Sequence, residues 1–176
     1  MKIVSKTVLL ILFFTVTANA QVEPEELNPA EYFDFWIGKW EVSWDEGNGK
    51  TGRGTNVIEK TLDGKVIQEN FQITEGGNAG FKGTSISVYQ PKYERWKQAW
   101  VDNNGGYYDF TGKLDGDKRI FQTEVREQED GSQFIQRMVF YGITKDSLTW
   151  DWESSKDGGK TWTMNWRIHY ERMKDQ

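Results

Sequence analysis

From residue 38 onward the chain alternates apolar and polar positions in short runs. Trp40, Val42 and Trp44 are interleaved with Glu41, Ser43 and Asp45, and Trp162, Met164, Trp166, Ile168 and Tyr170 with Thr163, Asn165, Arg167, His169 and Glu171. A period of two is the signature of a strand with one face buried. Turn residues tolerant of positive φ recur at about ten-residue intervals, at Asp63-Gly64, Gly76-Gly77, Asn104-Gly105-Gly106, Asp115-Gly116, Asp130-Gly131 and Asp157-Gly158-Gly159. Together they predict ten strands, roughly at 38 to 45, 52 to 61, 65 to 74, 82 to 90, 94 to 103, 107 to 114, 118 to 127, 132 to 142, 147 to 154 and 161 to 172. Ahead of them Asn28 suits a helix cap, Pro29 a first helical position and Glu31 a capping box, which predicts a short helix over 29 to 35. A run of sequential antiparallel strands loses its exposed edges by closing. The expected fold is all-β, an antiparallel up-and-down barrel of about ten strands plugged at one end by the short N-terminal helix.

Strand phase then assigns the lining. It places inward Trp40, Val42 and Trp44; Ile86 and Val88; Trp96 and Trp100; Tyr108 and Phe110; Phe134, Met138 and Phe140; Leu148, Trp150 and Trp152; and the Trp162 to Tyr170 set. The phase of 118 to 127 stays open, because Ile120 falls on one face and Phe121 and Val125 on the other. Four polar residues share the interior phase: Glu69, Gln98, Asp102 and Gln136. Buried without partners, each costs roughly 1 to 3 kcal/mol, so each needs a bond, a water or a ligand.

Composition narrows the function. Nine tryptophans, seven tyrosines and ten phenylalanines supply an aromatic interior, which either fills the barrel or lines a cavity within it. Lys2 and Lys6, the apolar run Val8 to Val16 and Ala18-Asn19-Ala20 have the form of a secretory signal peptide. The expected organisation is a signal peptide over 1 to 20, a tail and short helix over 21 to 35, and the barrel over 36 to 174. Export to the periplasm or the extracellular space follows, with no membrane insertion. Removing residues 1 to 20 takes away two lysines and no acidic residue, leaving 20 basic against 27 acidic residues and a net charge of −7. That balance argues against a nucleic-acid partner. With no cysteine in the chain there is no disulfide and no thiolate site.

No catalytic constellation stands out. The chain has no G-x-S-x-G elbow, no glycine-rich loop opening a helix and a single histidine, His169, on the polar face of the last strand. Asp102 and Asp109 across one hairpin are the nearest thing to an acid-base pair, and Ser155-x-Asp157-x-Gly159-x-Thr161-Trp162 resembles the Asp-box turn of sialidase-type propellers, which shapes a hairpin rather than performing chemistry. No catalysis is expected. The expected role is binding of a small apolar or aromatic molecule. Trp40, Trp96, Trp100, Tyr108, Trp150 and Trp166 would supply contact area, with Gln98, Asp102 and Gln136 as polar anchors.

Four segments carry a family resemblance: FDFWIGKWEVSW at 33 to 44, LDGKVIQENF at 62 to 71, SVYQPKYERWKQAWVDNNGGYYDFTG at 87 to 112 and DGGKTWTMNWRIHYER at 157 to 172. They resemble an uncharacterised family of exported bacterial proteins with a lipocalin-like (calycin) barrel, over nearly all of the chain after the signal peptide. More distantly, Gly38-Lys39-Trp40 and the late His169 resemble the haem-binding nitrobindin barrels, although Glu41, Val42 and Ser43 stand where that motif has glycines. The first resemblance implies a calycin-type barrel and says little about activity; no cofactor is expected. The second implies haem on His169 as an alternative, and a ligand-free scaffold for an envelope protein is a third reading.

Overall fold

The alternating segments pair in sequence order and close on themselves. The computed structural model describes residues 27–174, so the expected signal peptide lies outside the described residues. The strands are β1 (Gly38–Gly47), β2 (Lys50–Thr61), β3 (Val66–Glu75), β4 (Lys82–Gln90), β5 (Arg95–Asp102), β6 (Tyr107–Asp115), β7 (Lys118–Gln122), β8 (Arg126–Glu127), β9 (Gln133–Tyr141), β10 (Ser147–Ser155) and β11 (Thr163–Arg172). All pair antiparallel with their neighbours. β11 returns onto β1, with Val42 opposite Tyr170 and Ser43 opposite His169, and β9 joins β10. β7 and β8 lie one after the other along β9. The result is a closed ten-stranded antiparallel barrel, consistent with the calycin or lipocalin type.

The strand expected over 118 to 127 is thus interrupted. Between β7 and β8 the ladder continues through Thr123, whose N–H donates to the Gln136 carbonyl at 2.9 Å and whose hydroxyl accepts from the Gln136 N–H at 3.1 Å. Phe121 faces inward and Ile120 outward, yet both are fully buried.

Most of the expected lining is found inside, with three corrections. On β4 the inward residues are Ser85 and Ser87, while Ile86 is 56% exposed and Val88 only half-buried. The interior needs hydroxyls here, because Ser85 and Ser87 bond Glu69 and Gln98. On β11 the register shifts between Trp152–Trp166 and Glu153–Met164, leaving Asn165 as the extra residue of a bulge. The bulge reverses the faces before it, so Met164 is exposed and Trp162 lies outside, under the Arg137 guanidinium. Phe134 ends half-buried beneath Arg126 and apart from the core cluster.

The short helical segment is two successive 3₁₀ turns, Pro29–Glu31 and Asp34–Trp36, with the Asn28 side chain accepting from the Ala30 N–H. It seals one end of the barrel. Phe33 stacks on Phe121 with centroids 4.2 Å apart and meets Trp96 edge-on, and Trp36 meets Phe140 edge-on at 5.1 Å. The indoles of Trp96 and Trp40 donate to the carbonyls of Pro29 and Trp36, both at 2.8 Å. Lys60 holds Asp34 at 2.6 Å, and Arg172 donates to the Ile37 carbonyl while its guanidinium lies 4.0 Å from the centre of the Trp40 ring.

Because Phe33 is buried among four rings, Phe33→Ala is expected to cost about 3 to 5 kcal/mol of stability, measured by denaturant unfolding. A loss below about 1 kcal/mol would mean that the plug and the barrel do not unfold as one unit.

Candidate functional site

The side chains that fill the plugged half do not fill the other. Toward the opposite end the interior opens into a cavity of about 180 Å³. Its walls are mainly aromatic, with Trp100, Trp150, Trp152, Trp166, Tyr108 and Phe71 prominent. Trp150 meets Trp166 at 87° and Tyr108 meets Trp152 at 82°, while Trp150 and Trp152 lie parallel with centroids 6.4 Å apart, so the wall combines corners with parallel faces. A broader outer depression lined by residues 45–48 and 77–80 shares Phe81 and Trp166 with the cavity and marks its mouth. Glycine makes this packing possible on β4: a Cβ on Gly83 would overlap the Trp100 ring, so only glycine lets that indole lie flat against the wall.

Two carboxylates border the cavity. Asp102 sits at the β5–β6 turn, where it accepts from the Trp100 indole at 3.2 Å and from the Asn104 and Gly106 N–H groups, both at 2.9 Å. Burial alone would raise its pKa, but these three donors together hold it below the usual aspartate range.

Glu69 lies deeper, beside Tyr170. The Asn56 amide donates to one of its oxygens at 2.7 Å and the Ser85 hydroxyl to the other at 2.6 Å. The same Asn56 amide donates to the Tyr170 hydroxyl at 3.2 Å. Burial raises the Glu69 carboxyl from 4.5 to about 7, against the opposing pull of Ser85 and Asn56. Burial, with the Glu69 charge adding to it, also pushes the Tyr170 hydroxyl well above its usual value, so it stays protonated. The Asn56 Oδ1 and Gln98 Oε1 atoms are buried and meet no donor among the described residues.

Of the nine residues expected at the site, Trp100, Asp102, Tyr108, Trp150 and Trp166 line the cavity. The other four sit elsewhere. Trp40 and Trp96 anchor the plug, Gln98 is buried against Ser87 at 2.9 Å, and Gln136 is half-buried on β9 and outside the cavity lining. Glu69 shows in the sequence as an interior-phase carboxylate, but without a signal that ranks it above Gln98 or Gln136. Its donor Asn56 follows Gly52 and Gly54 on a strand with little hydrophobic alternation to set its phase.

The remaining candidates resolve as structure. Asp109 points outward and pairs with Lys97, away from Asp102. Asp157 caps the β10–β11 hairpin, accepting from the Ser155 and Thr161 hydroxyls at 2.6 Å each and from the Lys160 and Thr161 N–H groups. His169 is exposed on the outer face opposite Ser43 and Thr149. It is the only histidine, so no histidine is placed to ligate a haem inside the barrel. No protein-family model and no curated protein matches the chain.

The native state holds the Glu69 proton to higher pH than the unfolded chain does. It therefore binds more protons between about 4.5 and 7, and stability falls as pH rises through that window, by on the order of 3 kcal/mol. Glu69→Gln is expected to flatten this slope and to be more stable than the wild type at pH 8, with little difference at pH 4.5. Unfolding midpoints in urea at the two pH values check it; an equal slope in both proteins would show that Glu69 is not the titrating group.

Proposed function

We propose that this protein is an exported small-molecule carrier that holds a compact, largely apolar ligand in the aromatic cavity. The observation that carries the reading is the unfilled half of an otherwise densely packed barrel. Four indoles and five other rings surround space for about one ring system, since cavities near 150 Å³ already accommodate benzene. Apolar walls with a few convergent polar groups are the usual make-up of small-molecule sites. Trp100, Tyr108, Trp150, Trp152 and Trp166 supply the contact area. Export rests on the basic, apolar and small-residue pattern over residues 1 to 20, and the resemblance to lipocalin-like exported proteins accords with the barrel.

The scaffold reading finds less support. Ile86, Val101 and Tyr107 are exposed on the outer face of β4, β5 and β6, but the Lys97–Asp109 pair lies among them and breaks the apolar surface.

Titration with benzyl alcohol, followed by tryptophan fluorescence, is expected to show saturable binding at one site. Trp152→Ala should weaken it about two- to tenfold, the scale of one lost aromatic contact. Trp162→Ala, on the outer face, should leave it unchanged. Equal effects of the two substitutions, or no saturation, would overturn the assignment of the site. Native mass spectrometry of protein recovered gently from its own host would show the physiological ligand as added mass.

A further inference from the structure

The cavity carries a charge preference as well as a shape. Among the described residues that line it, the ionisable ones are Glu69, Asp102, Tyr108 and Tyr170, and none is a lysine, arginine or histidine. An anionic ligand would meet two carboxylates and no counter-ion. A neutral ligand would leave part of Glu69 unmatched, because a carboxylate offers about four lone-pair sites and Asn56 and Ser85 occupy one on each oxygen. Those two donors are not part of the cavity lining, whereas Glu69 itself is. The surrounding rings add to the preference, since the face of an indole attracts a cation within about 6 Å. Trp150, Trp152 and Trp166, with two of these rings perpendicular, give such a cation more than one face to meet.

We propose that the cavity selects a compact organic cation, a protonated amine or quaternary ammonium on a small apolar body, whose charged head pairs with the Glu69 carboxylate among the tryptophan faces. This rests on the small-molecule reading above and gives that ligand its chemical class. Asp102 at the rim and the net negative charge of the chain draw cations toward the mouth.

Binding is then linked to protons. Without ligand, burial keeps the Glu69 carboxyl protonated below about pH 7. A cation beside it favours the ionised form, so at pH 6 the neutral carboxyl gives its proton to solvent as the ion pair forms. The groups facing Glu69 do not blur this linkage. Asn56 on β2 and Ser85 on β4 carry no charge, Tyr170 on β11 stays neutral, and Asp102 on β5 is ionised well below this range.

The test compares three single-ring probes, benzylamine, benzyl alcohol and benzoate, by calorimetric titration between pH 5 and 8, a range in which benzylamine stays protonated. Benzylamine is expected to bind more tightly than benzyl alcohol at pH 8, and benzoate more weakly than both. Benzylamine affinity should rise about tenfold per pH unit below 7 and then level off, while that of benzyl alcohol stays flat. At pH 6 the heats should differ between buffers of different ionisation enthalpy, reporting the released proton. Glu69→Gln should lower benzylamine affinity about tenfold or more and spare benzyl alcohol, which also verifies that the variant is folded. If the variant does not fold, the wild-type pH profile and proton release decide the question. Equal binding of benzylamine and benzyl alcohol at every pH would overturn the cation assignment and leave the cavity reading standing. Failure of all three probes to bind would overturn both.

Discussion

Everything in this molecule depends on the seam between β1 and β11. Until those two strands pair, the sheet has two long edges with unmet backbone groups, and its aromatic face is open to water. Pairing Trp40 with Arg172 and Val42 with Tyr170 removes both liabilities in one step. The seam also fastens the plug, because Arg172 reaches from the last residue of β11 to the carbonyls of Ile37, Phe35 and Lys145. The first and last elements of the barrel are therefore mutually dependent. The closed end contains this junction, and the cavity lies toward the other end.

A closed aromatic barrel raises a second constraint, which is how it keeps polar side chains inside. The answer runs across four strands. Asn56, Glu69, Ser85 and Tyr170 form one bonded group around a single carboxyl, while Gln98 and Ser87 form a smaller one beside it. A core built for stability alone would replace such groups with apolar residues at little loss. Their retention at the bottom of a cavity links the packing problem to the binding proposal, since the least comfortable residue of the core is also the one that faces the empty space.

The barrel was legible in the sequence because closure needs only period-two alternation and turns, and both are written plainly from Trp40 to Tyr170. Errors came where physical demands crossed that pattern. On β4 the more apolar residues, Ile86 and Val88, are the outer ones, because Glu69 and Gln98 require hydroxyls across from them. On β11 the bulge at Asn165 has no hydropathy signature, so Trp162 and Met164 look continuous with Trp166. The cavity was harder still. Trp40 and Trp150 are equally inward by phase, and what separates them is that the plug packs against one and stops short of the other. That is a fact of three-dimensional reach, which no alternation records.

The bulge at Asn165 also has a meaning for how such a barrel diversifies. It divides β11 into an inner part, from Trp166 to Arg172, that belongs to the seam, and an outer part whose facing is set by one surplus residue. Loss of that single codon would remove the bulge and leave Met164 outward against Glu153, without altering any residue of the closed end. Lineages descending from this chain can thus gain or lose one residue at the open end while the inherited architecture beneath it stays the same.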